Sequence, residues 1–446
     1  MSFTSRLTFI KILFFPGLAL VLLVFFSRNL LTNYYQCDEF SYLAKSRYFE
    51  LYRKGDFSNP AWQENDAVDQ VKLMEYIYGL PSLLLYGKSF KQVAVEESSA
   101  NRNYYNYSFW SKWYGKTLKL LELTPRLRMI VFFSRTISSL FTVCYIFLAV
   151  FLIFFIFRSY FLAFFSFIFL ISHPVINIHG RQILADSALN FFLLLSFLGG
   201  LVFWRNFWLR KSKRLFLPVI LAGLAAGLAA STKINGFMAV IFFVFVMLIA
   251  GFLTAGLEKK QIKKRRLKKI IFSLYIFLFL SFSIFYLLHP TIWKNPAAGV
   301  KRFVDWRVYI TEFYQQTFPH ESVTSFLKAF YLLFSRVPGY LAEVGSIGFI
   351  YVNEFGKQNF LPYFIINLTL FLLGIVLFFL NLTKKRNFYK SLEFISAIWS
   401  LVTIIVVAFY LKLDWTRYYW PCFLPFLIID SMGLKLIFST IKKKIC

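Results

Sequence analysis

Two adjacent carboxylates, Asp38 and Glu39, stand in the stretch Tyr34-Tyr35-Gln36-Cys37-Asp38-Glu39-Phe40-Ser41-Tyr42, a short linker beyond the first apolar segment. A carboxylate among aromatic side chains beside a membrane surface suits two tasks. It can take a proton from an acceptor, or it can hold a cation against a phosphate. The bare pair also fits a solvated helix start, where the helix dipole favours acids in the first turn.

Further charged residues recur at the ends of apolar segments. Ile178-His179-Gly180-Arg181-Gln182-Ile183-Leu184-Ala185-Asp186 places an arginine and an aspartate at one such junction, where the two would also suit each other as an ion pair. Gly223 and Gly227, in Gly223-Leu224-Ala225-Ala226-Gly227, permit close helix packing. The same stretch ends in Thr232-Lys233. Lys233 is a lone ammonium that suits a phosphate, or that snorkels to the interface. Arg417-Tyr418-Tyr419-Trp420-Pro421 opens the last apolar segment, and reads equally as an aromatic belt with one interfacial arginine.

The elements that must position these residues are membrane helices. Of 446 residues, 58% are hydrophobic, and the mean hydropathy is +0.60. Apolar windows long enough to span a bilayer recur throughout. The expected fold class is all-α, a polytopic integral membrane protein of about 10–12 transmembrane helices. The spans read as Phe9–Phe26, Met129–Phe157, Tyr160–Ile178, Ser187–Phe207, Leu215–Ser231, Ile234–Ala255, Ile270–Leu288, Phe360–Leu382, Leu392–Leu411 and Trp420–Phe438. Phe326–Tyr351 is apolar but holds Arg336, Pro338 and Glu343, and reads as an interfacial or re-entrant helix or as two crossings. Lys11 lies within the first segment, and no small-residue cleavage site precedes Arg28, so that segment is expected to remain as a helix.

The net charge of +29 would suggest nucleic acid in a soluble protein. Here the basic residues crowd Arg205–Arg214, Glu258–Lys269, Lys384–Lys390 and the tail Lys442-Lys443-Lys444, which all fall on one side if the amino terminus is cytoplasmic. Nucleic acid is therefore not an expected partner. Of the 21 Asp and Glu residues, 11 lie in 28–128 and seven more on the same outer side, with all four histidines on or near it. Any chemistry is expected on that outer face. The loop 28–128, neither low-complexity nor Ser/Gly-rich, is expected to fold, with helices near Ser41–Leu51 and Val71–Tyr86 and a break at Pro81. The four cysteines show no CxxC spacing, and no His/acid spacing is diagnostic of a metal. No internal repeat is visible, which weighs against an inverted-repeat transporter.

Taken together, these pieces resemble the GT-C superfamily of polyprenyl-phosphate-sugar-dependent glycosyltransferases, above all its protein O-mannosyltransferase and aminoarabinose-transferase branch. The matching pieces come in order. They are Asp38-Glu39 after the first helix; the aromatic, Pro-containing Met74-Glu75-Tyr76-Ile77-Tyr78-Gly79-Leu80-Pro81 running to Gly87, with Arg135 later; Arg181 followed by Asp186; Thr232-Lys233; and Arg417-Tyr418-Tyr419-Trp420-Pro421. The prolines usual before the second interfacial helix are replaced around Lys72-Leu73-Met74.

The resemblance implies a single transmembrane domain over residues 1–446, with a large outer loop at 28–128 carrying interfacial helices and the acidic motif, and a second outer loop at 289–359. It implies a multi-pass protein of the bacterial inner (plasma) membrane. Its partners would be a polyprenyl-phosphate-linked sugar, membrane lipids, and a lipid, glycan or protein acceptor. The sugar would pass to the acceptor on the outer face with inversion. Asp38 would be the general base, with Glu39 beside it. Arg135, Arg181, Lys233 and Arg417 would bind the donor phosphate, and Glu75, Asp186 and Tyr418 would support the site. A divalent cation is left open. The competing expectation is a multi-pass lipid or polysaccharide transporter or flippase without transferase chemistry.

Overall fold

A computed structural model describes residues 3–28, 30, 37–69, 72–100, 124–209, 215–257, 260–337, 361–385 and 387–445. The chain is built from helices. Among the described residues the sole extended pairing is an isolated antiparallel bridge between Ser322 and Leu413. In chain order the helices are α1 (Phe3–Ser27), α2 (Cys37–Lys45), α3 (Arg47–Arg53), α4 (Asp66–Asp69), α5 (Lys72–Tyr86), α6 (Phe90–Ala100), α7 (Pro125–Phe157), α8 (Tyr160–Ser172), α9 (Pro174–His179), α10 (Ala185–Trp208), α11 (Phe216–Thr232), α12 (Met238–Leu257), α13 (Lys260–Leu288), α14 (Pro296–Thr317), α15 (Phe326–Arg336), α16 (Leu361–Lys384), α17 (Leu392–Tyr410) and α18 (Phe423–Ile445).

Six stretches are long and apolar enough to cross a bilayer: α7, α10, α13, α17, Ile234–Gly256 and Arg417–Ile441. Four shorter apolar stretches accompany them, Phe14–Ser27, Tyr160–Ser172, Phe216–Thr232 and Leu368–Lys384. The chain is thus an all-α polytopic membrane protein. The expected spans lie on helix, except that Tyr160–Ile178 is broken at His173 into α8 and α9, because Pro174 forces the residue before it out of the helical conformation. α7, at 33 residues, rises about 50 Å, against a hydrocarbon core of about 30 Å, so it projects past the bilayer. It starts where the sequence stops a chain from being anything else: the Thr124 side chain accepts from the Leu127 N–H, and Pro125, which lacks the N–H a first turn leaves unpaired, follows it.

α11 packs against α10 on one side and α13 on the other. The small residues make the second contact close. A Cβ on Gly223 would lie 3.0 Å from the Phe277 carbonyl oxygen, and one on Gly227 would lie 2.7 Å from the Ser281 carbonyl oxygen. The Ser281 hydroxyl donates across the junction to the Gly223 carbonyl at 3.1 Å. This is the packing that small residues at i and i+4 provide between helices in lipid.

Between α1 and α7 the described chain is mostly helical. Pro81 lies inside α5 rather than ending it. A proline there removes one backbone bond, and the burial of Pro81 and its neighbours Tyr78, Gly79 and Ser82 keeps the helix continuous. Of the apolar stretch Phe326–Tyr351, α15 accounts for the start, and residues 338–360 lie outside the described ones. α14 was not foreseen as a helix. Its start is capped by Asn295, whose side chain accepts from the Ala298 N–H at 3.1 Å, with Pro296 following.

Candidate functional site

Alternation of the spans brings to one end of the bundle the carboxyl ends of α1, α11, α13 and α17 and the amino ends of α7, α10 and α18. A cavity of about 110 Å³ opens there, lined by Ser41, Tyr42, Asp69, Asp186, Thr232, Lys233, Arg307, Ile310, Tyr314, Trp415, Arg417 and Tyr418. Its walls come from α2, α4, α10, α11, α14 and the 3₁₀ turn Thr416–Cys422, which are far apart in sequence.

At its base, the Lys233 ammonium donates to Asp186 Oδ1 at 2.8 Å. It also sits 4.9 Å from the centre of the Tyr418 ring. The backbone holds this lysine in place. α11 ends at Thr232, and the Gly236 N–H bonds back to the Lys233 carbonyl at 2.7 Å. A Cβ on Gly236 would stand 2.0 Å from the Ala229 carbonyl oxygen, so the turn closes only with glycine.

Arg417 leans over two aromatic faces, 5.5 Å from the Trp415 ring centre and 5.6 Å from that of Tyr418. The segment carrying Trp415 is tied down from below. Arg336 donates to both oxygens of Asp414 at 3.2 and 2.6 Å, the Tyr419 hydroxyl donates to Asp414 at 2.6 Å, and the Trp415 indole donates to Glu321. Backbone bonds from Val323 to Lys412 and from Asp414 to Glu321 complete the tie.

Asp69 and Arg307 form the opposite wall. Asp69 accepts from the Lys45 ammonium and, at 3.1 Å, from the Trp306 indole. Burial alone would raise its carboxyl. The Lys45 charge, with the Trp306 bond, outweighs that and holds it below the usual carboxylate range. Lys233, Arg307 and Arg417 against Asp69 and Asp186 leave the lining one formal positive charge in excess. Such a surface attracts an anion.

The other expected site residues go elsewhere. Glu39 and Arg135 form a fully buried bidentate pair, with bonds of 3.2 and 2.7 Å. Arg135 also donates to the Leu30 carbonyl at 2.8 Å, and Glu39 accepts from the Ile183 N–H at 2.7 Å. The pair thus locks α2, α7 and the segment before α10 together. Arg181 does not pair with Asp186, whose partner is Lys233. It donates to the Phe25 carbonyl at 3.0 Å and lies over the Phe25 and Phe26 rings at the end of α1. Glu75 pairs with Lys72 at 2.6 Å, both buried, beneath His289, whose Nε2 lies 3.3 Å from the Lys72 N–H. Asp38 occupies the first turn of α2, and its side chain lies outside the described ones. In helical register it stands one turn before Ser41 and Tyr42, which line the cavity.

So Asp186, Lys233, Arg417 and Tyr418 converge on one cavity, and Glu39, Arg135, Arg181 and Glu75 do not line it. Asp69, Arg307 and Trp415 were missed. Asp69 carried no signal, being one of three aspartates spaced along 56–69. Arg307 sits on a helix not foreseen. Trp415 had the one available clue, its place two residues before Arg417. No group of three or more His, Cys, Asp or Glu stands together among the described residues.

Comparison with known proteins gives a family match and a structural likeness. The family model for dolichyl-phosphate-mannose-protein mannosyltransferases matches residues 126–292, the stretch that holds Arg135, Arg181, Asp186 and Lys233. Among solved structures, that of ArnT from Cupriavidus metallidurans bound to undecaprenyl phosphate is similar at 14% identity, with a TM-score of 0.49, over 95% of this chain and 60% of that one. The chain therefore spans about 60% of the length of that protein. No curated protein matches by sequence.

Proposed function

We propose that this chain is a membrane glycosyltransferase of the GT-C type that moves a sugar from a polyprenyl-phosphate donor to an acceptor hydroxyl or amine. The observation that carries this reading is the meeting of Asp186, Lys233, Arg417 and Tyr418 with Ser41 and Tyr42 of α2 around one cationic cavity. Helix packing brings these residues together from six elements, and it leaves their charges lining a cavity rather than buried in full. The family match over 126–292, to dolichyl-phosphate-mannose-protein mannosyltransferases, agrees with a lipid-phosphate donor.

In this reading the donor's lipid lies in the bilayer and its phosphate at the cationic end of the cavity. Asp38 accepts the acceptor's proton as the acceptor atom attacks the anomeric carbon. The bond from that carbon to the phosphate oxygen breaks, and the electron pair leaves on the polyprenyl phosphate. A sugar hydroxyl is too weakly acidic to attack unaided at neutral pH, which is why a base is needed. Lys233 and Arg417 stabilise the charge that develops on the leaving phosphate, Lys233 as a point charge and Arg417 with its planar fork. Asp186 orients Lys233, and Tyr418 covers it. Glu39 and Arg135 position α2, and through it Asp38, without touching donor or acceptor. The cavity end of the bundle faces the outside, and the basic end the cytoplasm, in keeping with the positive-inside rule.

Asp38→Asn is the deciding experiment. It keeps size and polarity but cannot take up a proton near neutral pH. Transfer of radiolabelled sugar from a polyprenyl-phosphate donor should fall on the order of 10²–10⁴-fold, with the variant still inserted and monodisperse in detergent. Near-normal transfer by that variant would remove Asp38 from the chemistry.

A further inference from the structure

At the end of the bundle opposite the cavity, a second cavity of about 210 Å³ lies between the ends of α10, α11 and α13. Its lining is Asn206, Phe207, Leu215, Ile262, Arg265, Arg266 and Lys269. Three cations and one amide meet two aliphatic side chains and one aromatic ring, and among the described residues no carboxylate is part of the lining. Basic residues set by topology alone need only be scattered over a surface loop. These are built in. Arg266 is 8% exposed, and its guanidinium lies 5.2 Å from the Phe207 ring centre and 5.1 Å from that of Trp208. Crowding like charges around one hollow costs energy that a bound anion recovers.

The surroundings say what kind of anion. Two residues beyond Leu215 on α11, and two beyond Lys269 on α13, exposed apolar side chains begin: Leu217 and Leu221 on one helix, Ile271, Phe272 and Tyr275 on the other. The Phe216 and Phe272 rings meet at 5.3 Å between them. A polar cationic hollow that runs into an apolar track along two membrane helices has the outline of a phospholipid, headgroup above and acyl chain below. We propose that this cavity binds the phosphodiester headgroup of an anionic membrane lipid, whose acyl chains lie along the exposed faces of α11 and α13. Arg265 and Lys269 contact the phosphate, and Arg266, held by Phe207 and Trp208, forms the floor. The site is separate from the sugar-transfer cavity and does not depend on the function proposed for it.

Because Arg266 packs against two aromatic rings, its loss would disturb the fold, so the test leaves it in place. The full-length protein in detergent is titrated with phosphatidylglycerol or phosphatidylcholine, and adducts are counted by native mass spectrometry. The double variant Arg265→Gln/Lys269→Gln should bind phosphatidylglycerol roughly thirtyfold more weakly than the parent. The control Lys264→Gln/Lys268→Gln removes the same charge from exposed positions of α13 that do not line the cavity, and should shift affinity by about threefold or less. Equal losses in the two variants would reduce the effect to diffuse attraction and overturn the site. Equal binding of phosphatidylcholine by the parent would do the same. Displacement of phosphatidylglycerol by inorganic phosphate at matching concentration would overturn the lipid and leave a free-phosphate site in its stead.

Discussion

Two carboxylate–cation pairs stand near the same end of this bundle and do opposite work. Glu39 and Arg135 are both 0% exposed, and each spends further hydrogen bonds on backbone groups of other elements. Asp186 and Lys233 are 4% and 15% exposed and form part of a cavity wall. In the sequence the four residues look alike, each a charge near the end of an apolar segment. Their neighbours separate them. A buried pair with saturated partners has no valence left for a ligand, and removing one half strands the other in a low dielectric. A pair at a cavity edge can trade its partner for a substrate anion at small cost. One pair is therefore placed as a clasp, and the other, in the function proposed above, as a contact point, although both are salt bridges of 2.7–2.8 Å.

The largest expected effect tests the clasp. Glu39→Gln leaves the Arg135 guanidinium buried without its counter-charge, and should cost about 3–5 kcal/mol of stability. Thermal unfolding in detergent would read it, and turnover per folded molecule should change far less than folded yield. If folded yield holds and turnover collapses instead, Glu39 belongs with the chemistry.

The contact point should fail the other way. Lys233→Ala and Arg417→Ala should each weaken transition-state stabilisation by about 2–4 kcal/mol, read as kcat/KM with a polyprenyl-phosphate donor, with unfolding temperatures close to the parent's. Unchanged turnover in the combined variant would separate both cations from the donor. A more indirect blow to the same residue is Gly236→Ala. The added Cβ has no room against Ala229 and must push the Lys233 turn outward. A loss of about tenfold to a hundredfold in kcat/KM is expected, with about 1–3 kcal/mol of stability.

The smallest effect concerns a third pair. Burial pushes the Glu75 carboxyl up to about 7, against the pull of Lys72, and burial lowers Lys72 against the pull of Glu75. A carboxyl whose folded pKa is raised keeps a proton that the unfolded chain has released, so its contribution to stability falls as pH rises from about 4.5 to about 7. Glu75→Gln should remove that fall. Relative to this variant, the parent should lose a few degrees of unfolding temperature across the window, and parallel pH curves would show that Glu75 does not titrate there.

The bundle was legible in the sequence because hydropathy is local. Each window of about 20 residues declares itself without reference to the others, and of the expected spans Tyr160–Ile178 alone is broken, at His173 before Pro174. The parity of the spans likewise puts the dense Lys/Arg clusters on one side as an expectation from the sequence alone. The close approach of α11 and α13 could be read from Gly223 and Gly227, which have few other reasons to stand four apart. What the sequence could not show is who meets whom. Glu39 finds Arg135 across 96 residues, and Lys233 finds Asp186 across 47. Arg181, the nearer candidate for Asp186, turns to the Phe25 carbonyl instead. Asp69 and Arg307 reach the cavity only because α4 and α14 fold over the ends of the spans. Charge partners are chosen by where helix ends come to rest, and that is decided by the packing of whole helices against one another. A local pattern of residue types therefore names the charged groups, and the tertiary fold alone sorts them into clasp and contact.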